Sequence, residues 1–167
     1  MGFRELQNTI TPRLLQLQRR SRNMRPLFRV IAEVLAQSSQ KTIEVGGRPA
    51  KFQRLAAATL LARAGGAKRA FKKKGGIKKR AHRIFATAQP LLDTTQLLRS
   101  MTGDADGQRA LWGSGMVQAR LLNSGGMAGR GHLVKVPGRE FIGPDQPFPE
   151  DLEAIEAAVN DHLEVGK

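Results

Sequence analysis

Leu27, Val30, Ile31, Val34 and Leu35 recur at i, i+3, i+4, i+7 and i+8. Only a helical turn of about 3.6 residues brings that spacing onto one side. Pro26 suits a first helical turn, so the pattern predicts a helix from Pro26 to about Gln40. Its stripe must be covered by core, or by core and a neighbouring subunit. A second amphipathic helix is expected after Phe148-Pro149-Glu150, with Leu152, Ile155, Val159 and Leu163 on one face and Glu150, Asp151 and Glu153 in the first turn. Acids there suit the positive end of the helix dipole. In residues 2–22, Leu6, Ile10, Leu14, Leu15 and Leu17 have near-helical spacing. Thr11-Pro12 reads as a cap and first-turn pair, giving one short helix and a second from Pro12. Arg19, Arg20, Arg22 and Arg25 read as its solvated end.

Between these helices the signals are shorter. Thr42 to Val45 is β-rich, Gly46-Gly47 turns the chain, and residues 48–55 are irregular with Phe52 and Leu55 as anchors. Residues 56–64 are rich in Ala and Leu and favour a helix. Asp93 or Thr94 can cap a short helix that packs Leu97 and Leu98 inward. A strand over 109–112 is expected to pair antiparallel with residues near 99–102 across a turn at 103–107. Residues 116–122 read as a short helix and Gly125 to Gly131 as a flexible link. Residues 131–136 alternate as a strand does, until Pro137, which has no N–H for a ladder, ends it. Gly138 then permits a bend, Arg139 presents a planar charged fork, and Phe141 and Ile142 supply apolar mass. The whole reads as an α+β chain: N-terminal helices, a small antiparallel sheet and a C-terminal amphipathic helix, in one domain spanning 1–167.

Charge is unevenly spread. Residues 1–83 hold 21 Lys/Arg against Glu5, Glu33 and Glu44, net +18; residues 84–167 hold 7 against 11 acids, net −4. Such polarity speaks of partners more than of fold. Residues 65–83 carry paired glycines and a dense run of bases without an acid, and are expected to form a flexible basic arm. Lys72, Lys73, Lys74, Lys78, Lys79 and Arg80 are its candidate contacts to DNA phosphates or an acidic protein. Phe71 alone gives little for base stacking. Catalytic signals are missing. His82, His132 and His162 are scattered, cysteine and tyrosine are absent, and no nucleophile elbow or zinc-protease motif occurs. Asp104, Asp106 and Gly107 lack the remaining ligands of a calcium loop, and the Gly-rich 125–131 segment lacks the Lys-Ser/Thr of a P-loop. The chain is read as non-enzymatic, with no cofactor or metal. No apolar run approaches the roughly 20 residues of a membrane span, and the first residues lack a signal-peptide core, so synthesis in a cytoplasm is expected.

The order of certain segments carries a resemblance. Gly-Arg-Pro-x-x-Phe-x-x-Leu (47–55) is followed by Leu-Leu-Asp-Thr-x-x-Leu-x-x-Ser-Met (91–101) and a hairpin ending Trp112-Gly113-Ser114. Ala119, Asn123, Gly125 and Gly126 come next, then Val-Pro-x-Arg-x-Phe-Ile-Gly (136–143) and the terminal helix. Over roughly residues 10–165 the chain resembles the phage virion morphogenesis, or tail completion, family of tailed bacteriophages and Mu-like prophages. It departs from that pattern at Thr95, where the family favours Gly, at Gln118 for Tyr, at Leu122 for His and at Phe52 for Trp; its basic arm is also longer. The resemblance implies a tail-terminator-like ring subunit, commonly sixfold, acting at the head–tail junction. Its implied partners are copies of itself, the tail tube protein and a connector or stopper, with weak contact to packaged DNA. Its implied location is the virion, after assembly in the host cytoplasm. Pro137, Gly138, Arg139 and Phe141, with Asp93 and Thr94, are the candidate loop-fixing or subunit-interface residues. A stand-alone nucleic-acid-binding protein is the competing reading.

Overall fold

A computed structural model describes residues 10–143 and 147–163. In chain order it contains α1 (Ile10–Arg22), α2 (Arg25–Glu44), α3 (Ala57–Arg63), α4 (Ala67–Ala70), α5 (Lys79–Thr87) and α6 (Gln96–Arg99). Then follow β1 (Met101–Ala105), β2 (Ala110–Ser114), α7 (Ala119–Ser124), β3 (Gly126–Ala128), a 3-10 turn (Arg130–His132), β4 (Val134–Val136) and α8 (Pro149–Leu163). The class is α+β, with two two-stranded antiparallel sheets, β1-β2 and β3-β4, in place of one. Contacts gather the chain into two compact units, each described by itself.

The first unit comprises residues 10–36, 102–112 and 147–163 of the described chain. Helix α1 covers Ile10–Arg22, with Pro12 near the N-terminal end of its described stretch, as the Thr11-Pro12 pair led one to expect. The shorter helix expected before it falls on residues outside those described. Helices α1 and α8 pack together. The Arg20 guanidinium donates to the His162 carbonyl at 3.0 Å, and the His162 ring lies 3.3 Å from the Arg20 carbonyl. On α8 the packed side is Asp151, Ile155, Ala158, Val159 and His162, while Leu152 is 45% exposed. Of the predicted face, Ile155, Val159 and Leu163 are half-buried and Leu152 alone turns outward. In the part of α2 that belongs to this unit (25–36) the most buried positions are Leu27 and the small Ala32 and Ala36, and Val30 turns outward. Small residues win because β1 rests directly on the helix backbone. A Cβ on Gly103 would lie 2.6 Å from the Ala32 carbonyl oxygen. Gly103 is thus a strand residue and not part of the turn. That turn is tighter, with the Asp106 carboxylate accepting the N–H groups of Gln108 and Arg109.

The second unit comprises residues 37–101 and 113–143 of the described chain. Here α2 continues through Thr42 and Ile43, where the β-branched residues predicted a strand. Backbone and side-chain donors close its end. The Gly47 N–H reaches back to the Thr42 carbonyl at 2.8 Å, and Arg48 donates to Thr42 Oγ1 at 3.0 Å and to the Ser38 carbonyl and hydroxyl at 2.7 Å. A cation beside the C-terminal end of the helix also suits the negative end of its dipole. Ile43, Leu97, Met101, Ala119 and Phe141 form the main core, with Phe52, Leu98 and Leu122 packed against it. A smaller core joins α3, α4 and α5 through Ala64, Ala70 and Ala81, with Leu61, Ile84 and Phe85. The segment expected to form a flexible basic arm carries α4, a bridged turn (Phe71 with Ile77) and the first half of α5. The Gly-rich 125–131 link likewise contains β3, which pairs Gly126 with Val136 and Ala128 with Val134. Among the described residues no helix is long and apolar enough to cross a membrane.

Candidate functional site

Pro137 ends β4 and Gly138 passes against the end of α7. A Cβ on Gly125 would come within 2.5 Å of the Gly138 nitrogen, and one on Gly138 within 2.9 Å of the Ser124 carbonyl. Two chain segments can cross this closely only where both lack a side chain. The crossing lets α7 supply acceptors to the loop. The Arg139 N–H donates to the Leu122 and Asn123 carbonyls, both at 3.0 Å. Asn123 Oδ1 accepts from the Phe141 and Ile142 N–H groups, both at 2.9 Å. Phe141, 1% exposed, is thereby seated in the main core.

Between the core plug Phe141 and the bend, Arg139 is only 8% exposed. Its guanidinium is poorly served. One terminal nitrogen lies 3.5 Å from the Pro137 carbonyl and the other 3.5 Å from the Gln53 carbonyl, both at the limit of a hydrogen bond. Nε is sealed from solvent with no partner. Burial pushes this guanidinium below its ordinary range, and the charge of Arg63 adds to the effect. The group nevertheless stays protonated, because arginine does not give up its proton in proteins.

Arg139 lines an open groove of about 820 Å³. Leu55, Leu91, Leu97, Met116, Val134 and Val136 give it apolar walls. Arg54, Arg63, Lys135 and Arg139 place four cations around it against the single acid Asp93. Arg63 is fixed by the Gln89 carbonyl at 2.9 Å and by Asp93 at 3.5 Å. The Asp93 side chain is largely exposed, which leaves that pair weak. Neither Asp93 nor Thr94 caps α6. Thr95 holds the cap position, in the left-handed region (φ 57°, ψ 2°) and without a side-chain cap bond. Asp93 and Thr94 instead stand on the groove wall with Arg139 and Pro137.

The basic candidates gather elsewhere in the second unit. Residues 71–80 are all exposed. Lys72, Lys73 and Lys74 occupy the bridged turn, Lys78 stands at the start of α5, and Lys79 and Arg80 fill its first turn. That first turn has no acid, so cations sit at the positive end of the helix dipole. The fold alone gains nothing from that placement, whereas an approaching anion does. Apolar side chains are exposed elsewhere in this unit, with Val117 at 97% and Leu133, in the β3–β4 turn, at 81%. Sequence reasoning missed Asn123, Arg63 and Gln53. Asn123 gave the one signal, as a residue of the pattern that carries the family resemblance.

The described residues thus present an open groove, exposed apolar side chains and a basic turn on a folded scaffold. Residues 5–164 match the phage virion morphogenesis family, and the chain belongs to that family. It is also 30% identical over 133 residues to the Mu-like prophage FluMu G protein 2 of Haemophilus influenzae, covering 80% of this chain and 75% of that protein. No solved structure matches the chain.

Proposed function

We propose that this chain is a non-catalytic virion protein of the head–tail junction, which completes the phage tail by forming a ring that lets a filled head join. The family match along residues 5–164 carries the reading. The exposed apolar side chains and the unequal charge of the two halves support it, because unlike patches on one chain pair head-to-tail, and such contacts close rings. The tail tube protein and a connector or stopper are the further partners of such a ring. Electron microscopy of particles made without this protein tests the role. Separate full heads and finished tails are expected; normally joined particles overturn it.

The exposed basic turn and the start of α5 favour a second activity, contact with nucleic acid. For a ring on the path of DNA this contact is weak and salt-screened, since tight binding would stop passage. Binding of a duplex to the isolated protein across a salt series separates the readings. Nanomolar affinity with a steep salt slope favours a stand-alone nucleic-acid binder.

A further inference from the structure

We infer that the groove beside Arg139 is the docking site for the acidic outer face of α8 from a second copy of this chain. The inference rests on the ring reading and names its contact. Arg139 makes no ion pair among the described residues, only two carbonyl contacts of 3.5 Å, and its nearest charged influence is the like-charged Arg63. A buried charge left in this state is expensive unless a counter-charge arrives. Arg54 and Lys135 are exposed at the groove and extend the positive field outward. Its walls are apolar, so the fitting partner presents carboxylates around an apolar side chain; a phosphate backbone has no such group to bury.

Helix α8 presents that chemistry. Its 15 residues contain no Lys or Arg. Leu152, Glu153 and Glu156 are all exposed, and their spacing (i, i+1, i+4) puts them on one side of the helix. Leu152 can enter between the apolar walls while Glu153 and Glu156 meet the cations at the rim. The two patches differ, so the contact is heterologous and propagates from copy to copy.

Sedimentation velocity on the full chain tests this with charge swaps at exposed positions. Glu153→Lys/Glu156→Lys reverses the helix face, and Arg54→Glu/Lys135→Glu reverses the groove rim. Each variant keeps its circular dichroism but self-associates at least roughly tenfold more weakly than wild type. An equimolar mixture regains association, because each reversed face then meets a reversed partner in alternation. If the variants associate as wild type does, the contact is wrong while the ring reading stands. A mixture no better than its components overturns the contact too. So does a groove reversal that spares self-association but blocks binding to the tail tube. A wild type that stays monomeric at every concentration overturns both readings.

Discussion

Thr95 is a β-branched residue held at φ 57°, ψ 2°, a backbone conformation that L-residues avoid. The left-handed region costs such a residue roughly 1–2 kcal/mol, of which glycine's extra chain entropy returns about half. Thr95→Gly is therefore expected to raise stability by about 0.5–1 kcal/mol, read from urea unfolding, and Thr95→Val is not. A less stable glycine variant would contradict the strain. Asn123 works in the opposite sense, since one oxygen serves two backbone donors. Asn123→Ala leaves both without an acceptor, an expected loss of about 2–3 kcal/mol; Asn123→Asp keeps the acceptor and loses less. Arg139 carries a third prediction. Its folded pKa is lowered, so its protonated state costs stability at every pH below the guanidinium range. Arg139→Met removes that charge at similar length. Unfolding free energy should hold or rise, by up to about 1–4 kcal/mol, while self-association weakens. A variant that is both destabilised and fully associating would show that Arg139 serves the fold alone.

At the scale of elements, the β1–β2 turn gives a pH signature. Asp106 accepts the N–H groups of Gln108 and Arg109 and pairs with the Arg109 side chain at 2.9 Å. These bonds, that of Gln108 first, hold its carboxyl below the usual aspartate range. Its contribution is thus present above the unfolded value and lost as pH falls through the lower folded one. Thermal melts should show wild type losing its margin over Asp106→Asn only on acidification below about pH 4; a margin independent of pH would rule the charge out. Elements with a long apolar period were legible in sequence, and so α2 and α8 were placed; α3 was placed by its Ala and Leu content. Their ends and outward-facing positions were not. Helix α2 outruns its β-branched tail because Arg48 closes its last turn, and Leu152 faces outward because Asp151, Ile155 and His162 take the packed side. Dense charge hid the alanines that fold α4 and α5, and glycines hid β3. At the groove, the bend from Pro137 to Phe141 was readable from residue types alone. Its partners were not, since Gln53 meets Arg139 from 86 positions away and no local pattern announces it.

For the whole molecule, the net charge of +14 is concentrated in residues 1–83. Lys79→Glu/Arg80→Glu replaces cations with anions at the start of α5. The helix dipole then favours the new charges by about 0.3–1 kcal/mol each, so the melting temperature should hold or rise. Affinity for duplex DNA should fall and its salt slope flatten by about one for each contact removed. An unchanged slope would move the phosphate contacts elsewhere. The β3–β4 hairpin allows one practical use of the fold. Its tip, from Gly129 to Leu133, is exposed, and its backbone turns in a 3-10 turn that includes a bond from the His132 N–H to the Gly129 carbonyl at 3.1 Å. A short epitope tag spliced there displaces no core side chain. Antibody fragments bound to tagged particles would mark each subunit as a separate spike, and counting the spikes in end-on images gives the copy number directly.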